Sequence, residues 1–325
     1  MIRFIFRLVL AVLVLLALAI AVYRMMAFQR EIRAAEAFFL DGSRMIETSY
    51  GAIHAIEAGP KTGTPILLIH GSIGWSGFWS ETLSDLADRG YRSIAIDLPP
   101  MGLSERGAST DYSRQAQALR ILSFVEAERI KPVIVAHSFG AGAAAEAMIT
   151  DAEAFRGGVI VAGAIGLGED GTGKSLPAVL RPQSIREAVV SATVTNPHLA
   201  PTLFRHYVHR KEAVTDDRVA MLERPFARVG TAEAMARFLP SLLIPPKNAR
   251  STNPASYGAL DLPIALIWGV EDTVTPPAEA DALKDALGGA PVIWLDDVGH
   301  IPQVEDPGLF HNALARAIAI VDGPT

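Results

Sequence analysis

Six short runs of near-continuous aliphatic residues, most of them followed by a stretch with helical periodicity, constrain this chain more than any other feature. They are Pro65 to His70 (PILLIH), Tyr91 to Asp97 (YRSIAID), Lys131 to His137 (KPVIVAH), Gly157 to Gly163 (GGVIVAG), Pro263 to Gly269 (PIALIWG) and Pro291 to Asp296 (PVIWLD). Strands that are apolar on both faces have no side to turn to water. They belong in a mostly parallel sheet with helices above and below. Helical patterns fill most of the gaps: Phe78 to Arg89, Tyr112 to Arg129, Gly140 to Thr150, Ala278 to Leu287 and Leu309 to Val321. This alternation predicts an α/β fold with a doubly wound, mostly parallel sheet. Two shorter strands around a turn near Tyr50-Gly51 precede it, within Ser43 to Gly59.

One interval breaks the rhythm. Between Gly166 and Leu260 there are helix patterns but no convincing strand, and prolines at 177, 182, 197, 201, 225, 240, 245 and 246 cut them short. A helical insertion at this point overhangs the carboxyl ends of the strands, where open α/β sheets bind ligands. We therefore read residues 166–260 as a helical cap, with a separate helical subdomain away from the site as the alternative. The α/β core would then comprise residues 45–165 and 261–325, preceded by a membrane anchor at 1–24 and a linker helix at 25–44.

The anchor rests on Leu8 to Val22, where every residue is apolar. Arg3 and Arg7 precede this run and Arg24, Arg30 and Arg33 follow it. With Phe4 to Phe6 included and Arg7 snorkelling, the segment reaches roughly 20 residues, enough for ~30 Å of hydrocarbon. A cleavable signal peptide, cut at Ala17-Leu18-Ala19 or Ala19-Ile20-Ala21, is the rival. The basic C-terminal flank favours an uncleaved, single-pass anchor. Lysine and arginine nearly balance across the segment, which leaves the side of the membrane open, and cleavage would make the product secreted or periplasmic.

Composition removes several chemistries. The 325 residues contain no cysteine, which excludes thiol catalysis, disulfides and cysteine-ligated zinc. A net charge of −6 with both signs dispersed offers no footprint for nucleic acid. Gly168 to Ser175 (GEDGTGKS) resembles part of a phosphate loop but lacks its spacing and its leading strand, so nucleotide binding is rejected. His206 and His209 are spaced i, i+3 without a third ligand and are read as a solvated helix face.

The stretch Val133 to Met148 (VIVAHSFGAGAAAEAM) carries a serine between a strand and an alanine-rich helix. A nucleophile on such a strained turn needs small residues two before and two after it, and Ala136 and Gly140 supply them. The competing reading is Ser138 as a simple helix N-cap. A serine hydroxyl needs a base. Of eight histidines, His300 stands in the loop just past the last strand, after Gly299. An acid must orient that imidazole. Asp272, three residues past the strand that ends in Gly269, is favoured over Glu271, Asp296 and Asp297. His70-Gly71 at a strand exit places the amide of Ser72, with that of Phe139, as an oxyanion pair. Trp75 is read equally as acyl-pocket lining or core, and Phe78 and Trp79 as core.

These pieces, in the order Ser, Asp, His, resemble the α/β-hydrolase family over about Met45 to Val321, in the manner of its capped serine hydrolases and esterases. Asp97 to Ser104 (DLPPMGLS) is similar to that family's Asp-x-Pro-Gly-x-Gly-x-Ser loop, with Pro100 in place of the usual glycine. The resemblance implies a catalytic triad, matched by Ser138, Asp272 and His300. Haloalkane dehalogenases and epoxide hydrolases of this fold use an aspartate nucleophile, and Ser138 at that position argues against both. The expected activity is hydrolysis of a small or medium carboxylic ester through an acyl-enzyme. Alternatives are carbon–carbon hydrolysis of diketone-like substrates, peptidase or lactonase activity, and a non-catalytic binding protein on the same fold. The expected partners are a small-molecule acyl substrate and, through the N-terminal helix, a membrane, with no nucleic acid and the oligomeric state left open. The mechanism calls for no metal or organic cofactor.

Overall fold

The computed structural model describes residues 2–107 and 110–323. An N-terminal helix, α1 (Ile2–Arg30), leads to strands β1 (Ser43–Ile46), β2 (Ile53–Ala58) and β3 (Pro65–Ile69). Helix and strand then alternate through α2 (Ser80–Asp88), β4 (Arg92–Ile96), α3 (Arg114–Glu128), β5 (Val133–His137), α4 (Phe139–Thr150) and β6 (Gly157–Val161). Five short helices follow without a strand: α5 (Gln183–Ala192), α6 (Ala200–Tyr207), α7 (Asp216–Glu223), α8 (Thr231–Leu243) and α9 (Ala255–Gly258). The chain ends with β7 (Ile264–Gly269), α10 (Pro277–Ala286), β8 (Val292–Leu295), α11 (Pro302–Glu305) and α12 (Pro307–Asp322).

The eight strands form one sheet in the order β1-β2-β4-β3-β5-β6-β7-β8. The first two pairings, β1 with β2 and β2 with β4, are antiparallel, and all later ones are parallel. Alternation along each strand divides the aliphatic runs between two cores. Leu67, Ile69, Ile134, Ala136, Ile160, Leu266 and Trp268 pack with α3, α4 and α10. Ile66, Leu68, Val133, Val135, Val159, Ala265 and Ile267 pack with α2 and α12. This is the doubly wound, mostly parallel sheet that the aliphatic runs predict, and its physical cause is that neither face is left to water.

The first helix differs from the expected division at residue 24. It runs unbroken past Val22 to Arg30, because no glycine or proline interrupts Tyr23 to Arg30. The expected linker helix at 25–44 is therefore absent as a separate element. Its beginning belongs to α1 and only a 3-10 turn, Ala35–Phe38, follows. The helix stops where its backbone is captured by the insertion: Arg33 N–H donates to Ala227 O at 3.3 Å and Val229 N–H to Arg33 O at 2.9 Å. Its last turns dock on that insertion too. Ala27 is buried among Val190, Ala232 and Met235, and Arg24 pairs with Glu187 at 2.6 Å. Ala232 N–H donates to the Glu31 carboxylate at 3.0 Å. The large apolar residues from Phe4 to Val22 are exposed, so α1 covers the globular part only with its final turns.

An ion cluster ties the antiparallel edge to α3. Arg92 and Lys61 donate to the Glu57 carboxylate at 2.6 and 2.7 Å, and Arg44 and Arg92 reach Glu128 at 2.6 and 2.9 Å. Burial alone would raise the Glu57 carboxyl, but the bonds from Arg92 and Lys61 and the charge of Arg44 bring it down to about 2. A carboxyl depressed in the folded state contributes stability above its unfolded pKa and loses it as pH falls through the folded one. Urea unfolding should therefore show stability falling between about pH 4.5 and pH 2, with a shallower fall in Glu57→Gln.

Candidate active site

Ser138 occupies the one-residue turn between β5 and α4, with φ 51° and ψ −123°. Such a backbone costs of order 1–3 kcal/mol and persists only where the surroundings overdetermine it. Here its N–H donates to Val161 O, while its carbonyl accepts from the amides of Ala141 and Ala164, each at 3.0 Å. Close approach explains the small neighbours. A Cβ on Gly140 would lie 2.2 Å from His70 O, so α4 starts against the end of β3 only because that residue is glycine. Ala136 sits fully buried between Ile69 and Ile160 in the register of the neighbouring strands, where one methyl fits. Gly71 lies against the turn, and a Cβ there would meet Ser138 Cβ at 3.0 Å.

The Ser138 hydroxyl is 2.8 Å from His300 Nε2, and His300 Nδ1 is 2.9 Å from Asp272 Oδ2. Asp272 can only accept, so Nδ1 carries the proton and Nε2 faces the serine as an acceptor. All three residues are buried. Asp272 is also held by the amides of Val274 and Thr275 at 2.8 and 2.9 Å and by the Thr275 hydroxyl at 2.7 Å. Burial alone would raise its carboxyl, but the bonds from His300 and Thr275 keep it below the usual carboxylate range. The structure thus brings Ser138, Asp272 and His300, 162 residues apart at the extremes, into one hydrogen-bonded line. Glu271 bends back through its N–H to Val298 O, and Asp297 faces Arg210 outside the line.

Phe139 is the first residue of α4, so its N–H has no acceptor one turn back in the helix. Ser72 shares the lining of the cavity above Ser138. That cavity is mostly apolar in its walls. The loop after β3 contributes Ile73 and Phe78, and the insertion contributes Val194, Leu203, Phe204 and Leu222. Helices of the insertion therefore overhang the carboxyl ends of β3 and β5. Phe78, read from the sequence as core, faces this cavity and packs against Phe204 with ring centroids 5.7 Å apart. Trp79 lines it as well while remaining fully buried. Trp75 is instead a core residue whose indole donates to Met221 O at 2.8 Å. Both shifts follow from the 3-10 turn Ser76–Trp79, which rotates the aromatics in a way no strand or helix period encodes.

The remaining histidines near the serine are framework. Burial and the neighbouring His300 push His137 down to about 3, and its Nε2–H donates to the His300 carbonyl at 2.8 Å. His70 is also pushed down, chiefly by burial. Its Nε2 accepts from Leu98 N–H and its Nδ1–H donates to Gly71 O, which braces the loop that carries Ser72. Two supporting residues escaped the sequence reading. Thr275 was legible in principle, as a hydroxyl three residues beyond an aspartate at a strand exit. Glu305 was not. Its buried carboxylate accepts from the amides of Gly299 and Ile301 on either side of His300, and from His209 and Arg210 of the insertion, at 2.7 to 3.0 Å.

Comparison with known proteins agrees with this architecture. The model of the alpha/beta hydrolase family matches residues 66–313. The chain is 28% identical over 274 residues to Haloalkane dehalogenase 2 of Mycobacterium tuberculosis (strain ATCC 25618 / H37Rv), covering 84% of this chain and 93% of that protein. It is 26% identical over 260 residues to Lipase 1 of Psychrobacter immobilis, covering 77% and 75%. The crystal structure of a membrane phospholipase A superposes with a TM-score of 0.65 at 19% identity, over 98% of each chain, a likeness of fold.

Proposed function

The chain belongs to the alpha/beta hydrolase family, and we propose that within it the protein is a membrane-anchored serine hydrolase of small or medium carboxylic esters. The observation that carries this reading is the line from Ser138 Oγ through His300 to Asp272, with spacings of 2.8 and 2.9 Å. In the proposed reaction His300 Nε2 takes the serine proton as Oγ bonds to the substrate carbonyl carbon, and Asp272 stabilises the imidazolium. The amides of Ser72 and Phe139 receive the negative charge that develops on the carbonyl oxygen. The tetrahedral adduct collapses as His300 returns the proton to the departing alkoxide, which leaves as the alcohol. Water, deprotonated by His300, then attacks the acyl-enzyme and releases the carboxylic acid, restoring Ser138.

The mostly apolar walls of the cavity favour an acyl or alkyl group over a polar peptide. Haloalkane dehalogenases of this fold attack with an aspartate, and the serine at position 138 directs the reading towards acyl transfer, as the name of the Psychrobacter relative also suggests. In this reading residues 166–260 act as the cap that sets specificity. Residues 1–24 hold the protein in the bilayer, and 25–44 join anchor to core. Support for the anchor comes from an exposed helix with a mean hydropathy of 3.0 in its apolar window.

One experiment tests activity and placement together. A fluorophosphonate probe applied to carbonate-washed membranes from expressing cells should label the wild-type chain and not Ser138→Ala. An unlabelled wild type, or equal labelling of the variant, overturns the serine-hydrolase reading. Recovery of labelled chain only in the soluble wash overturns the anchor.

A further inference from the structure

The cavity above Ser138 contains two polar groups that the proposed chemistry does not use. Gln303 is 95% buried, and its amide oxygen has no hydrogen-bond partner. The indole N–H of Trp79, in a fully buried side chain, is likewise without a partner. Both residues line the cavity, and both flank its histidine side. Trp79 has its ring 6.5 Å from that of His137, and Gln303 follows His300 by three residues at the start of α11. Comparable groups in this interior are satisfied: the indoles of Trp75 and Trp268 donate to Met221 O and Thr275 O, both at 2.8 Å. An orphaned buried donor or acceptor lowers stability, and an apolar side chain of the same shape would remove that penalty. A glutamine whose amide oxygen is held without a partner in the wall of a mostly apolar cavity points to a ligand that completes it.

Chemistry narrows the ligand. An indole N–H can meet only an acceptor, and the orphaned Gln303 amide oxygen can meet only a donor, so a hydroxyl, which is both, is the group that serves them. No lysine or arginine lines the cavity, so a carboxylate or phosphate would be buried without a counter-charge. A plain alkyl chain would leave both groups as they are.

We propose that Gln303 and Trp79 form a recognition site for a hydroxyl group that the substrate carries in addition to its scissile carbonyl. The inference rests on the ester-hydrolase reading for the role of the scissile carbonyl. Recognition of the second oxygen is a binding property and is measurable without turnover.

The test uses full-length Ser138→Ala in detergent and follows calorimetric binding of 2-octanone and of its hydroxy derivatives with the hydroxyl at carbon 4, 5, 6 or 7. At least one hydroxyketone should bind about 10-fold more tightly than the monoketone, equivalent to one added net hydrogen-bonded contact. Gln303→Met should bring that ratio below about 2 and raise Tm by a few degrees, because the orphaned amide is gone. The proposal is overturned if no hydroxyketone binds more tightly than 2-octanone, or if Gln303→Met or Gln303→Leu keeps the preference. A fall in Tm for both variants also overturns it, since that marks a structural glutamine. Failure of the hydrolase reading shows separately, as loss of Ser138-dependent probe labelling, while the ligand preference is read in a protein that lacks the serine.

Discussion

Ser138→Ala should lower kcat by about 10⁶-fold on the best chromogenic ester while leaving the circular dichroism spectrum unchanged. The size of the effect follows from how the three side chains work as a unit. Without the Oγ, His300 has no proton to take and Asp272 has no imidazolium to stabilise, so the remaining rate is that of positioning and oxyanion donors alone. His300→Ala should cost nearly as much, and the double variant hardly more than either single one. Asp272→Asn should cost less, about 10⁴-fold, because it leaves the geometry but allows the wrong imidazole tautomer. Folding should be insensitive to the serine. Its hydroxyl bonds only to His300, and the strained backbone at φ 51° is held by main-chain bonds that alanine retains. A Ser138→Ala protein that keeps more than about a hundredth of wild-type kcat would place the activity elsewhere in the molecule.

Asp97→Ala should be the most destabilising single change near the site, by about 3–5 kcal/mol. Asp97 is fully buried at the end of β4, where its carboxylate accepts from His54 Nδ1–H at 2.8 Å. It also takes the amides of Ser76 and Leu103 at 2.5 and 2.7 Å. Truncation leaves three buried donors unsatisfied at once. It also frees the two loops that meet there, the one carrying Ser72 and the one from Asp97 to Ser104. Burial alone would raise this carboxyl, but the His54 bond, the charges of His54 and His70 and the Ser76 amide hold it below its ordinary value. Its stabilisation is therefore complete above the unfolded carboxylate pKa and is lost as pH falls through the lower folded value. Urea midpoints for wild type and Asp97→Ala should differ most near neutrality and converge in acid. A constant gap from pH 7 down to pH 2 would mean that the carboxylate charge is not what holds these loops.

Elements with a strong period were the most legible. The aliphatic runs appear as strands to within a residue or two, and the helices of the core fall where the spacing of apolar positions puts them. Segments whose conformation depends on long-range capture were not. The end of α1 is decided by the hydrogen bonds that Arg33 donates to Ala227 O and accepts from Val229 N–H, nearly two hundred residues away. Local propensity around Met25 to Leu40 contains no trace of that contact. Phe78 faces the cavity for a similar reason, since a 3-10 turn between loop and helix sets its direction. Within the site, Ser138 and its small neighbours were readable because a tight strand-to-helix turn imposes local steric demands. Glu305 was invisible because its bonds to Gly299, Ile301, His209 and Arg210 exist only once the insertion folds back over the last loop.

Sequence by itself determined the sheet, its two-sided cover and the candidates for nucleophile, base and acid. Those depend on side-chain period, on backbone sterics within a few residues and on the chemistry of single functional groups. Tertiary structure alone decided that Ser138 Oγ, His300 Nε2 and Asp272 Oδ2 stand within hydrogen-bonding distance. It alone decided, too, that helices between Gly166 and Leu260 roof the serine with an apolar cavity, and that Gln303 is buried in its wall without a partner. Distance between remote residues and satisfaction of buried polar atoms are properties of packing, and no local pattern of residues specifies either.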